Sequence, residues 1–209
     1  TGSGAPARLR DVAGAPAARP ALAVMVTGQV VMVAVMTATP LAMHMGGQGL
    51  GAVGMVLSAH TFGMFALSPV TGWLADRFGP RAVMLGGLVT LAAATALAAA
   101  AGDVEWLRTA GLFLLGYGWN LCFIGGSAHL AGDLPVAERA RIEGAVDGGV
   151  WAAAAIASLA STALLAAGGY PVLAGTAGGA AALPALIRRP GRGTSQPSRP
   201  ARHASRPGP

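Results

Sequence analysis

Apolar runs long enough to cross a bilayer, separated by short polar connections, organise most of this chain. A helix needs about 20 consecutive apolar residues to span the hydrocarbon core. Runs near that length lie at 21–43, 50–71, 82–101, 107–130, 143–167 and 170–188. The first opens after Pro20, whose fixed φ suits the start of a helix. Gly46-Gly47-Gln48-Gly49 separates the first two runs, and Gly168-Gly169 separates the Ala-rich last two in a very tight hairpin. The pattern predicts an all-α membrane protein of six transmembrane helices over 21–188. The flanks differ in kind. Residues 1–20 hold Pro and Gly clusters with Arg8, Arg10 and Arg19, and residues 189–209 are rich in Pro, Ser, Gly and Arg with little apolar to bury, which predicts a disordered linker and a disordered basic tail.

Composition excludes a soluble domain. Such a domain would carry roughly a quarter charged residues, whereas this chain carries 11% at a mean hydropathy of +0.58. Its 32 glycines fall largely inside apolar runs, where membrane helices use small residues to approach one another.

A net charge of +6 raises the question of nucleic acid. The positions of the charges argue against it: the arginines sit in the flanks and short connections, not along a face with interleaved aromatics. They sort by side instead. With six spans, one side collects Arg8, Arg10, Arg19, Arg77, Arg81, Arg139, Arg141, Arg188, Arg189, Arg192, Arg199, Arg202 and Arg206. The other has only Arg108, beside Asp103 and Glu105. The positive-inside rule then places both termini in the cytoplasm, in a multi-pass plasma-membrane protein.

Cofactor chemistry finds little support. The single Cys122 lies in an apolar run, so neither a disulfide nor a Cys-based metal site can form within the chain. Paired membrane histidines can hold a haem, but His60 and His129 fall at different depths and no span has two histidines; His44 sits at the end of the first span. No cofactor and no metal is expected. The chain begins at Thr1 without a signal-peptide pattern, which suggests a fragment of something longer.

The connection between the second and third spans reads Gly72-Trp73-Leu74-Ala75-Asp76-Arg77-Phe78-Gly79-Pro80-Arg81. Gly72 would let a neighbouring helix come close, and Gly79 would permit the reversal. Asp76 is placed to meet a helix N-terminus or an arginine, and Arg77 and Arg81 lie at headgroup depth. A purely topological charged loop would show some of these features too. In this order and spacing they resemble the loop signature of the major facilitator superfamily, G-x-L-a-D-r-x-G-r-r, with Pro80 where a basic residue is common. The stretch from His60 to Pro69 is similar to the second helix of a half. Gly116-Tyr117-Gly118-Trp119-Asn120, Gly125-Gly126-Ser127 and residues 134–141 are similar to the fourth helix and its following loop.

The resemblance covers residues 20–188 and implies one six-helix half of that fold. The basic tail and the absence of the fifth-helix drug-antiporter signature fit the C-terminal half. It further implies secondary active transport, not an enzyme: a small organic solute moved by alternating access, with proton-coupled export the commonest theme. The implied partners are a small-molecule substrate, the lipid bilayer, and a missing N-terminal half or a second copy. The alternative is a non-transporting membrane protein, a truncated half serving as scaffold or sensor.

In that fold the third and sixth helices of a half stand at the periphery. Their counterparts here carry only Thr90 and Thr95, and Thr176, as polar side chains. The costlier groups lie elsewhere, as expected if they face protein or water. Gln29, His60 and Asn120 are the candidate cavity, substrate or proton sites. For His60 a neutral, hydrogen-bonded structural role is favoured over a protonatable one. Asn120 divides between substrate contact and interhelical bonding. Asp147 and Glu143, with Arg141, are candidate partners of the loop motif, the acids sharing a cation such as Arg77; for Asp147 helix capping is the plainer reading.

Overall fold

The computed structural model describes residues 18–186, without 103 and 135. The predicted flanks therefore lie outside the described residues, except that Ala18, Arg19 and Pro20 are already helical. Among the described residues every regular element is an α-helix: α1 Ala18–Met45, α2 Leu50–Phe65, α3 Ser68–Phe78, α4 Pro80–Ala100, α5 Glu105–Asp133 and α6 Val136–Leu186. Four stretches are long and apolar enough to cross a membrane: Ala18–Met45, Leu50–Phe78, Pro80–Ala100 and Glu138–Ala181. Helix α5 matches α1 in length, but Tyr117, Trp119 and Asn120 interrupt its apolar run.

Prolines and glycines punctuate these helices for local reasons. Pro69 is the second residue of α3 and Pro80 the first of α4, where a missing N–H costs no helical bond. The sequence predicted a loop over residues 72–81. Instead, 72–78 are helical, and the whole reversal is made at Gly79, with φ 84° and ψ 152°. Leu74, Ala75 and Arg77 are good helix formers, and nothing before Gly79 needs a left-handed backbone. The close approach expected at Gly72 is not found, since an added Cβ there would meet nothing within 4 Å.

Helix α6 has 51 residues, and a straight helix of that length would run roughly 75 Å. It breaks at Gly169, φ 70° and ψ −178°. Before the break, Ile142, Val146 and Val150 cluster with Ala18, Ala21 and Met25 at the start of α1. At the break, Tyr170 meets Thr39 near the end of α1. Beyond it, Gly178 stands against Thr95 of α4. The first limb thus lies along α1, and the second packs beside α4.

Small residues set the helix spacing. Gly111, Gly118 and Gly125 recur every seven residues on α5. A Cβ at these positions would meet Ala98, Leu91 and Met84 of α4 at 3.2, 2.9 and 3.0 Å. The partners also recur every seven residues, in reverse order, so one stripe of each helix seats the antiparallel pair along its length. A tighter crossing joins α2 to α5. A Cβ on Gly63 would lie 2.3 Å from the Phe113 carbonyl oxygen, and one on Gly116 would lie 2.2 Å from that of His60. Only hydrogen fits at either glycine.

Candidate functional site

Between α2 and α3 the chain breaks helix at Ala66-Leu67, just before Ser68-Pro69. Pro69 has no N–H to give, and its ring crowds the carbonyl four residues back. Asn120 of α5 fills this interruption. Its Nδ2 donates to the Met64 carbonyl at 2.7 Å and to Ser68 Oγ at 2.9 Å. Its Oδ1 accepts from Thr71 Oγ1 at 2.6 Å. Asn120 and Thr71 are both buried, so the side chain bridges two helices away from solvent.

The preceding residue of α5, Trp119, donates from Nε1 to Gln29 Oε1 at 2.6 Å, tying α5 to α1. Its ring stacks on Phe123, with centroids 5.1 Å apart, and meets the edge of Phe65 at 6.3 Å. Phe62 and Phe113 form a second ring pair. Phe62 and Phe65 are each 59% exposed, so α2 and α5 present an aromatic face that this chain leaves open. Beside it an open groove of 810 Å³ is lined by Met55, Phe62, Glu105, Trp106 and Phe113, among others.

His60 is buried on the same crossing, its Nδ1 3.0 Å from the Leu112 carbonyl. A carbonyl oxygen only accepts, so Nδ1 carries the hydrogen. Gln29, His60 and Asn120 thus all lie at contacts with α5. The sequence had marked these three, but not their partners Trp119, Thr71 and Ser68. The signal for Trp119 was its i, i+4 spacing with Phe123, beside Gln29 as another costly mid-span group.

The loop-motif residues gather elsewhere. Asp76 and Arg77 are exposed in the last turn of α3, and Arg81 is exposed in the first turn of α4. Glu143 is half-buried near the start of α6, with Arg141 and Asp147 exposed. Among the described residues no ion pair joins Asp76, Glu143 or Asp147 to Arg77 or Arg141, so the structure does not show the shared cation expected from sequence. Of the remaining histidines, His44 is exposed at the end of α1 and His129 is buried in α5.

The family model of the Major Facilitator Superfamily matches residues 16–207. An uncharacterized MFS-type transporter, YdeG of Bacillus subtilis, is 44% identical over 125 residues, 59% of this chain and 29% of its own length. A second, YddS of the same organism, is 38% identical over 125 residues with the same shares. The riboflavin transporter RfnT of Brucella anthropi is 35% identical over 142 residues, 68% of this chain and 35% of its own length. The matched stretch is thus about a third of these relatives. With the family model covering nearly the whole chain, this multi-pass membrane protein belongs to the Major Facilitator Superfamily, a family of transporters and not of enzymes.

Proposed function

We propose that this chain supplies six membrane spans, namely α1, α2 with α3, α4, α5 and the two limbs of α6, as one half of a secondary carrier. The observation that carries this reading is the return of α6 at Gly169. It breaks a stretch too long for one crossing, and in this reading the two limbs run in opposite directions along the bundle. With that count, Arg19, Arg77, Arg81, Arg139 and Arg141 all stand at one end of the helices and Arg108 at the other. The basic end is then cytoplasmic.

The half is incomplete on one side. Of α2 only Val56, His60 and Gly63 are buried, while on α6 Trp151, Ile156 and Leu159 are exposed. A second half against these second and fifth spans would enclose the aromatic face of Phe62, Phe65 and Trp119 in a central cavity. Rocking of the halves would open that cavity to each side in turn. The solute is a small organic compound, and aromatic walls favour a planar one. Riboflavin, for which one relative is named, is the first to try.

Within this carrier Gln29 and Asn120 hold the wall in place, and His60 braces the crossing of α2 with α5. Asp76 acts in the conformational switch, engaging the start of the fifth span in a state other than the one seen here. The test is flux into proteoliposomes driven by a proton gradient. The carrier with both halves should accumulate solute and this chain alone should not. Flux through this chain alone would contradict the need for a second half, and no flux through either would favour a scaffold.

A further inference from the structure

Where α1 and α4 end, α5 begins and α6 breaks, the structure encloses a second cavity of 200 Å³. Its wall includes Thr39, Ala98, Gly102, Arg108, Tyr170 and Pro171. Arg108 donates from Nη2 to the Gly102 carbonyl. Its Nη1 is buried without a hydrogen-bond partner among the described residues. No carboxylate is among the described residues lining this cavity, and Glu105 lines the separate groove between α2 and α5. A half-buried guanidinium with one buried, unpartnered nitrogen and, among the described residues, one neutral partner is electrostatically incomplete, because burying part of a charge is costly unless an opposite charge or several dipoles meet it.

The hydroxyls across the cavity define what would complete it. Thr39 spends its hydrogen on the Val35 carbonyl at 2.7 Å. The 2.9 Å contact between Thr39 and Tyr170 is therefore donated by Tyr170. That phenolic hydrogen can swing about its C–O bond toward a stronger acceptor without moving the ring. An oxygen bearing negative charge, seated between Arg108 and Tyr170, would take both hydrogens and neutralise the guanidinium. The cavity is much smaller than the 810 Å³ groove and has room for a small headgroup or a short acid.

We propose that this pocket binds a small anionic oxygen group, a carboxylate or a phosphate, on Arg108 and Tyr170. The group can arrive on a free solute or on a lipid phosphodiester. Bound there, it ties the Gly169 break to the start of α5. The proposal stands on this pocket alone and does not depend on whether the chain transports.

The test is the melting temperature of the delipidated protein in a neutral detergent at constant ionic strength. Sodium phosphate and sodium acetate are titrated in one arm; phosphatidylglycerol and a phosphate-free galactolipid are compared in the other. A saturable rise with the salts identifies a free anion, and a rise with phosphatidylglycerol alone identifies a lipid. Either supports the site if Arg108→Gln raises the half-saturating concentration at least about tenfold, the worth of one charge-assisted hydrogen bond. Tyr170→Phe, which keeps the packing, should raise it by about threefold and remains informative if Arg108→Gln does not fold. No saturable rise in either arm would mean that water or the chain itself meets the charge, and an undiminished rise in Arg108→Gln would mean an adventitious ion only. Both outcomes overturn the proposal.

Discussion

Thr71 Oγ1 donates to Asn120 Oδ1 at 2.6 Å, joining α3 to the middle of α5 one turn beyond the break at Ala66-Leu67. With Met64 and Ser68 on its amide, Asn120 holds both sides of an interrupted span. Interhelical hydrogen bonds in membranes average about 0.6 kcal/mol each, so Asn120→Leu should cost about 2 kcal/mol. Thr71→Val should cost about 0.6 kcal/mol. Unfolding in mixed micelles measures both, and the double variant should cost less than the two single changes added together.

The crossing of α2 with α5 is less forgiving. An added methyl at Gly63 or Gly116 meets backbone oxygen, which cannot swing away as a side chain can. Overpacking of this kind costs about 1–3 kcal/mol, and contact with backbone puts Gly63→Ala and Gly116→Ala at the upper end. Gly72→Ala, with nothing within 4 Å, should be nearly neutral for stability. Equal melting temperatures for all three would show that the two helices do not meet this closely.

Asp76 is exposed at the end of α3 and makes no ion pair among the described residues, so its charge contributes little to holding this conformation. If it engages the start of the fifth span in another state, Asp76→Asn should slow transport at least about fivefold, a modest conformational coupling. Insertion and melting temperature should be unchanged, and Asp76→Glu should be milder. Wild-type flux in the Asn variant would remove Asp76 from the switch.

His60 donates to a backbone carbonyl on α5, a bond that a glutamine amide can also make. His60→Gln should therefore keep the pH dependence of transport and change its rate within about twofold, the worth of a slightly misplaced hydrogen bond. A flattened pH profile in this variant would make His60 a proton carrier instead.

The helices were legible from apolar runs because a bilayer demands length and apolarity together. Their ends were less so. Polar side chains at residues 72–78 read as a loop, yet Asp76 and Arg77 sit comfortably in a helix that projects past the apolar zone. Gly169 was legible as a turn because Gly168-Gly169 interrupts a long Ala-rich stretch. The clasp at Asn120 was half legible: a mid-span amide must find partners, but nothing along the chain links position 120 to Thr71. The glycines of α5 were visible, whereas the pairing of Gly63 with Gly116 depends on a crossing that only three dimensions provide. The orphan hydrogen of Arg108 depends on three helix ends meeting the α6 break, and it too was out of reach.

The central claim, six crossings with α6 turning back at Gly169, is tested most directly by single-cysteine labelling in intact cells. Cys122 is buried and is first replaced by alanine. Single cysteines are then placed at Gln48, Phe78, Val104, Val136, Ala167 and Ser195. A membrane-impermeant maleimide applied from outside should label positions 48, 104 and 167, whereas 78, 136 and 195 should label only after permeabilisation. Labelling of position 195 from outside, with 136 still protected, would mean that α6 crosses once and would contradict the account.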